Sequence, residues 1–326
     1  MASARAVLID AWYRGTWWLY LLRPLEFLFR GVAALRRAAY RKGLLTRYRA
    51  TRPVVIVGSI TAGGSGKTPV VVALVEALRA QGLVAGVVSR GYGAAGAVFP
   101  HTVTASSSAQ DCGDEALMIF QRAGCPVVVD PARAVAVRTL LAGHEVDLVI
   151  SDDGLQHYAL CRDMEIAVLD AELRCGNGFC LPAGPLREPP RRLQRVDFVL
   201  YRGSASPDNG VRYGQQRLVH LRSGEERPLL PISNGDPVYA VAGIGHPEQF
   251  FESLEKMGFT LLRRTFADHH AYCIEDFSEM TGHPIIMTEK DAVKCRAFAG
   301  VNAWYLEVTA QLPARVVSAV AALARH

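Results

Sequence analysis

From residue 53 onward, short near-continuous apolar runs alternate with amphipathic stretches and Gly-rich turns. The runs at 53–57 (PVVIV), 83–88, 126–129, 147–150 and 164–169 lack the apolar/polar alternation of a half-exposed strand. They predict strands buried on both faces. Between them, 68–80, 113–123 and 131–142 space their apolar residues as helices do. Strands and helices in alternation imply a mainly parallel sheet covered on both sides, an α/β fold. At 203–237 the chain turns polar and rich in Gly, Pro, Ser and Asn, with one alternating stretch at 216–221, which reads as a linker with room for a strand pair. A second βα series opens at 238 with VYAVAGIG. It continues with a helix near 247–257, strands near 260–266, 284–288 and 303–308, and a closing helix. The expected organisation is a basic aromatic segment (1–52), an α/β domain (53–205), a linker (206–236) and a second, smaller α/β domain (237–326).

Composition changes this picture at the N-terminus. Residues 1–52 hold eleven Lys/Arg and two acids, a charge of +9, whereas the remaining 25 basic and 29 acidic residues sum to −4. The same segment carries Trp12, Tyr13, Trp17, Trp18, Tyr20, Phe27 and Phe29 among many leucines. Cations, interfacial aromatics and aliphatic side chains together suit an amphipathic helix docked on a membrane surface. The segment does not span, because Arg14, Arg23, Glu26 and Arg30 cut it into runs well short of the ~20 apolar residues a crossing needs. The seven cysteines are odd in number and scattered, with no CxxC pair. That excludes a disulfide framework or a zinc site and suits a reducing compartment.

The first predicted strand feeds directly into Thr61-Ala62-Gly63-Gly64-Ser65-Gly66-Lys67-Thr68. A strand, a Gly-rich loop ending in GKT and a helix make a P-loop, whose backbone N–H groups and helix N-terminus cradle phosphates. Lys67 then neutralises the β- and γ-phosphates, and Thr68 ligates Mg²⁺. Thr61 stands where the strict pattern has its first glycine. The strand at 147–150 ends in Ser151-Asp152-Asp153-Gly154, a second metal-binding segment in which either Asp152 or Asp153 is the ligand. Gln156 and His157 follow closely enough to face the same cleft. These parts predict an ATP- or GTP-dependent phosphoryl-transfer enzyme with no acceptor specified.

Further motifs extend the pattern: VGSITAGGSGKTP (57–69), SRGYG (89–93), GDE (113–115), DDGLQH (152–157), GNGFCLPAGPLREP (176–189), AGIG (242–245), FADHHAY (266–272) and TEKDAVK (288–294). In this order and over nearly the whole chain, they resemble the tetraacyldisaccharide 4′-kinase (lipid A 4′-kinase) family. Thr61 and the basic, tryptophan-rich N-terminus resemble that family too. The resemblance implies transfer of the ATP γ-phosphoryl group, with Mg²⁺, to the 4′-hydroxyl of a tetraacyldisaccharide 1-phosphate. It implies a peripheral enzyme at the cytoplasmic face of the inner membrane that binds no nucleic acid. It assigns the base to Asp114, assisted by His269, with His270 as the alternative partner. Substrate contact falls to Arg90, Gln156, His157, Arg187 and Glu188. Lys290 and Asp291 end a strand, where ligand contact and an interdomain ion pair are both open.

Two other classes share part of the pattern. A P-loop GTPase regulator needs an NKxD-type string, and the nearest, TEKD, lacks the asparagine. A nucleic-acid-binding ATPase would use the basic N-terminus on phosphate backbones.

Overall fold

The computed structural model describes residues 4–63, 66–96, 98–228, 236–245, 247–296, 300 and 302–325. The N-terminal segment forms α1 (Ala4–Arg14), a 3₁₀ turn (Trp17–Leu22) and α2 (Arg23–Arg41). The first α/β series is β1 (Val54–Gly58), α3 (Lys67–Arg79), β2 (Ala85–Ser89), β3 (His101–Thr102), α4 (Ala109–Cys112), α5 (Asp114–Ala123) and β4 (Val127–Val129). It continues through α6 (Arg133–Gly143), β5 (Leu148–Asp152), β6 (Met164–Asp170) and β7 (Phe198–Arg202). Then come β8 (Gly210–His220), β9 (Glu226–Pro228), β10 (Val238–Ala242), α7 (Pro247–Lys256) and β11 (Leu261–Thr265). The chain closes with β12 (Ile285–Thr288), α8 (Glu289–Cys295), β13 (Ala303–Gln311) and α9 (Ala314–Ala324).

The strands form one continuous sheet in the order β11-β10-β12-β13-β8-β7-β6-β1-β5-β2-β4-β3, with β9 paired to β8. Around β1 all neighbours are parallel: β5 on one side, then β2 and β4, and β6 then β7 on the other. β1 is buried along its whole length, as a run of Val and Ile covered on both faces requires. One core lies on the α3/α5 face around Leu74, Ile119 and Val127, and a second on the α6 face around Ile56, Leu140 and Leu155. The β10–β13 sheet has its own pair of cores, one around Met287 and Tyr272, the other around Phe251 and Trp304.

The polar stretch holds the strand pair that the sequence allowed, β8 with β9, and one further placement differs from the sequence reading. The polar stretch read as linker contains β8, eleven residues long, which pairs parallel with β7 at Tyr201–Gly210 and Arg202–Val211 and antiparallel with β13 along most of its length. Its polar residues fall largely at positions that are only partly buried. Residues 229–235 of that stretch lie outside the described residues. The closing helix α9, expected in the second domain, packs Val316, Val320 and Ala321 into the first core beside α3. The two faces of the β10–β13 sheet carry α7 and α8 instead.

Candidate active site

The loop after β1, the end of β5 and the end of β6 all open at the C-terminal edge of the parallel strands, where α/β sheets hold ligands. A cleft of roughly 1200 Å³ lies there, walled by both α/β halves and by α2. Thr61 and Ala62 begin the phosphate loop in extended backbone. Thr61 forms a bridge with Leu186, the Ala62 N–H donates to Pro185 O (2.7 Å), and the Arg187 N–H donates to Ile60 O (2.6 Å). A strand-paired residue has no need of positive φ, so a β-branched Thr is at home where the strict pattern has glycine. Its Oγ1 lies 2.8 Å from Ser59 Oγ. Gly66, by contrast, is left-handed (φ +71°), and a Cβ there would meet Arg202 Cδ at 2.3 Å. Gly63 also has positive φ. Gly64 and Ser65 lie outside the described residues.

Lys67 and Thr68, both buried, open α3. Lys67 Nζ lies 3.6 Å from Asp153 Oδ1, and Arg187 donates to Asp153 Oδ2 (2.7 Å). Burial works to raise the Asp153 carboxyl, but these two cations more than reverse it and hold it well below the usual range. Asp153 takes a left-handed backbone (φ 48°), a strained conformation typical of functional turns. Asp152 is 1% exposed, and neither carboxylate oxygen has a hydrogen-bond partner among the described residues. Burial, then the charges of Glu115 and Asp153, push it up to about 7. A buried carboxylate with two unsatisfied acceptors beside Lys67 and Thr68 fits a cation ligand. Among the described residues no group of three or more His, Cys, Asp or Glu converges on a point. Mg²⁺ takes one or two carboxylates and fills the rest of its shell with phosphate and water.

Gln156, His157, Arg90 and Arg187 also face the cleft. Burial and the Arg133 and Arg90 charges depress His157 to about 4, so it is a neutral donor or acceptor near pH 7. Glu188 also lines the cleft, but its oxygens are engaged by Gln156 (2.9 Å), Arg37 (3.1 Å), Arg192 (3.5 Å) and the Tyr158 hydroxyl. Sequence reasoning missed Arg133, which is buried and donates to the carbonyls of Asp130 (3.1 Å) and Asp152 (2.9 Å). The only signal for it was a cation opening α6 just after a strand.

On the far wall, Asp114 at the start of α5 meets His269 Nδ1 at 2.9 and 3.2 Å. Burial raises the Asp114 carboxyl, but the hydrogen bond from His269 and the charges of Lys290, His269 and Lys294 outweigh it and hold it below the ordinary range. His269 faces the cleft while Asp114 sits behind it, 4% exposed. His270 turns away, bonded to Asp276 (2.9 Å) and stacked on Phe266. Between the halves, Arg122 of α5 holds Glu289 of α8 through both carboxylate oxygens (2.9 and 3.0 Å) and reaches Glu307 at 3.3 Å.

The model of the tetraacyldisaccharide-1-P 4′-kinase family, LpxK, matches residues 18–325. The chain belongs to this kinase family. The tetraacyldisaccharide 4′-kinase of Azotobacter vinelandii is 52% identical over 306 residues, 93% of this chain and 92% of that protein. The enzyme of the same name from Pseudomonas aeruginosa is 49% identical over the same shares. The crystal structure of the "apo" form of LpxK from Aquifex aeolicus in complex with ATP superposes with a TM-score of 0.76 at 26% identity, covering 94% of this chain and 99% of that one. The mostly parallel α/β fold is thus that of the family, and the protein is a kinase.

Proposed function

We propose that the protein transfers the γ-phosphoryl group of ATP to the 4′-hydroxyl of a tetraacyldisaccharide 1-phosphate, with Mg²⁺, giving the 1,4′-bisphosphate. One observation carries this reading: a phosphate loop and a carboxylate–imidazole pair face each other across one cleft, whose third wall is an amphipathic helix. The names of the relatives support the acceptor. Lys67 and the loop N–H groups hold the triphosphate, and Thr68 and Asp152 would hold the cation. Mg²⁺ bound there neutralises charge on the β- and γ-phosphates. Asp153 keeps Lys67 and Arg187 in place. Asp114, the base by resemblance, lies behind the His269 ring, so we assign the proton acceptor to His269 instead: the acceptor hydroxyl gives its proton to Nε2 as its oxygen bonds to the γ-phosphorus and the bond to the bridging oxygen breaks. Asp114 orients the ring through Nδ1 and stabilises the imidazolium. Arg90, Gln156 and His157 meet the sugar and phosphate oxygens of the substrate.

The N-terminal helices form the membrane-docking face. Trp17 is 75% exposed, and Leu21, Leu25, Phe27, Leu28, Val32 and Leu35 are also open to solvent. No described helix is long and apolar enough to cross a bilayer; the exposed aromatic and aliphatic side chains beside the basic residues support docking on its surface. Trp18 instead packs against a small core of Ala11, Trp12 and Leu19. The helices are pinned to the 176–189 loop by the Trp12 indole N–H to Pro182 O (3.0 Å) and by buried Glu26, which accepts the Cys180 N–H (3.1 Å). That loop also pairs with the phosphate loop at Ala62 and Arg187. The acyl chains would leave the cleft along α2, where Phe29, Val32 and Ala33 line it, at the cytoplasmic face where ATP is available. The test is ATP-dependent phosphate transfer to the tetraacyldisaccharide 1-phosphate in detergent micelles. Transfer that requires both Lys67 and Mg²⁺ is expected; ATP hydrolysis without transfer would mean the acceptor is wrong.

A further inference from the structure

The TEKD string at 288–291 is not absorbed by phosphate or metal binding. Two of its residues are scaffold. Thr288 Oγ1 accepts the Asp291 N–H (3.2 Å), and fully buried Asp291 accepts the Gly243 N–H (2.8 Å) and pairs with Lys294 (3.0 Å). Lys290 alone of the string's charged residues reaches the proton-accepting pair. Its Nζ lies 3.3 Å from His269 Nε2, 3.4 Å from Asp268 Oδ1, 3.5 Å from Glu115 Oε1 and 3.9 Å from Asp114 Oδ2. Burial works against the ammonium, but Glu115, Asp114 and Asp268 outweigh it and keep Lys290 charged.

We infer that Lys290 is a positioning residue for the proton transfer: its ammonium donates to Nε2 of His269 and so fixes the imidazole with its proton on Nδ1, facing Asp114, before substrate arrives. The donor inventory dictates this. An ammonium has three donors and no acceptor, so a hydrogen bond from it requires a lone pair on Nε2. An ionised carboxylate only accepts, so the contact from Asp114 requires a proton on Nδ1. Both demands select the same tautomer. The opposite tautomer would set the Nε2–H against the ammonium, and its nearest carboxylate oxygen, Asp268 Oδ1, stands 3.6 Å away, beyond a normal hydrogen bond. The ring has little freedom otherwise. His269 has left-handed backbone (φ 62°), and the Tyr92 ring lies against it at 4.7 Å between centroids.

This inference rests on reading Asp114 and His269 as the base and adds how that base is kept ready. An imidazole with its lone pair on the cleft side is the form that accepts a hydroxyl proton. The incoming hydroxyl takes Nε2 from Lys290, whose ammonium remains on Asp268 and Glu115. The charged groups around His269 are Asp114 and Glu115 from α5, Asp268 from its own loop, and Lys290 and Lys294 from α8, with the Tyr92 phenol beside it. Lys290 is the cation nearest Nε2.

The experiment has two arms. In the free wild-type protein labelled with ¹⁵N-histidine, the His269 resonances, assigned by their loss in His269→Gln, are expected to show a neutral Nδ1–H ring. A predominantly Nε2–H ring would overturn the inference with no variant needed. In the second arm, kcat/KM is measured from pH 5.5 to 9.5 for wild type, Lys290→Met and Lys290→Arg. Removing the cation raises the pKa of the pair, so the acid limb of Lys290→Met is expected to move up by about one pH unit. Its deficit then widens as pH falls, and Lys290→Arg restores most of the limb. An equal loss at every pH, with the tautomer unchanged in Lys290→Met, would make Lys290 merely structural and overturn the inference. Absence of lipid phosphorylation by the wild type would instead sink the proposed acceptor, while the tautomer measurement, which needs neither ATP nor lipid, would still decide this inference.

Discussion

On the phosphate side of the cleft, Lys67, Thr68, Asp152 and Asp153 stand at the C-terminal ends of β1 and β5, adjacent strands of one sheet. On the base side, Asp114 comes from α5 in the first half, whereas His269 and Lys290 come from the second. The first set is positioned by backbone pairing within a single sheet. The second exists only while α5 and α8 stay in register. Nucleotide binding and phosphoryl transfer therefore have different structural requirements, and perturbations should separate them.

Lys67→Ala breaks the phosphate side itself, so kcat/KM is expected to fall about a thousandfold, with weaker ATP binding by calorimetry. Asp114→Asn and His269→Ala should each cost a factor of about 10² to 10⁴ in kcat while ATP affinity stays near the native value. A parallel loss of ATP affinity would show that the two sides are not separable. Glu289→Gln weakens the tie from Arg122 without removing bulk, and a misplaced base pair is expected to lower kcat about tenfold. An unchanged kcat would show that other α5–α8 contacts suffice. Away from the chemistry, Trp17→Ser should reduce retention on anionic vesicles about tenfold, whereas Trp18→Ser should act mainly by lowering Tm. Intact retention in the Trp17 variant would place the docking surface elsewhere. The smallest effect concerns His157. Its folded pKa of about 4 lies below that of the unfolded chain, so the unfolded state binds more protons between about pH 6.5 and 4 and stability falls with pH across that window. His157→Gln removes this penalty, and its Tm should drop about 2 °C less than that of the native protein between pH 7 and 5.

Where the chain is apolar on both faces, its pattern spelled out the structure: β1, β2, β4, β5 and β6 fall where near-continuous Val and Ile predict them. β7 (FVLYR) went unrecognised because it is short, partly exposed and preceded by a stretch rich in Pro and Arg. β8 was legible only over its last residues, since its first part is Gly-rich and pairs with strands distant in sequence. The phosphate side of the site was readable because its residues cluster within a few positions of two strand ends. For Lys290 the sequence left ligand contact and an interdomain ion pair both open, because its partners at 114, 115, 268 and 269 reach it only through the tertiary fold. The sequence left His269 and His270 equivalent as well. The strained backbone at 269 directs one ring to Asp114, and Asp276 captures the other.

The β8–β13 ladder and the return of α9 mean that the chain passes between the halves twice, outward along β8 and back from β13 into the first core. A single connecting strand would leave the second half free to swivel as well as bend. Two hydrogen-bonded connections resist twist, so relative movement reduces chiefly to folding across the ladder. Such a motion moves His269 and Lys290 together against Asp114 and the phosphate loop, which stay with the first half. Opening would thus part His269 from Asp114 as it widens the cleft, so that the base is assembled only when the halves are closed.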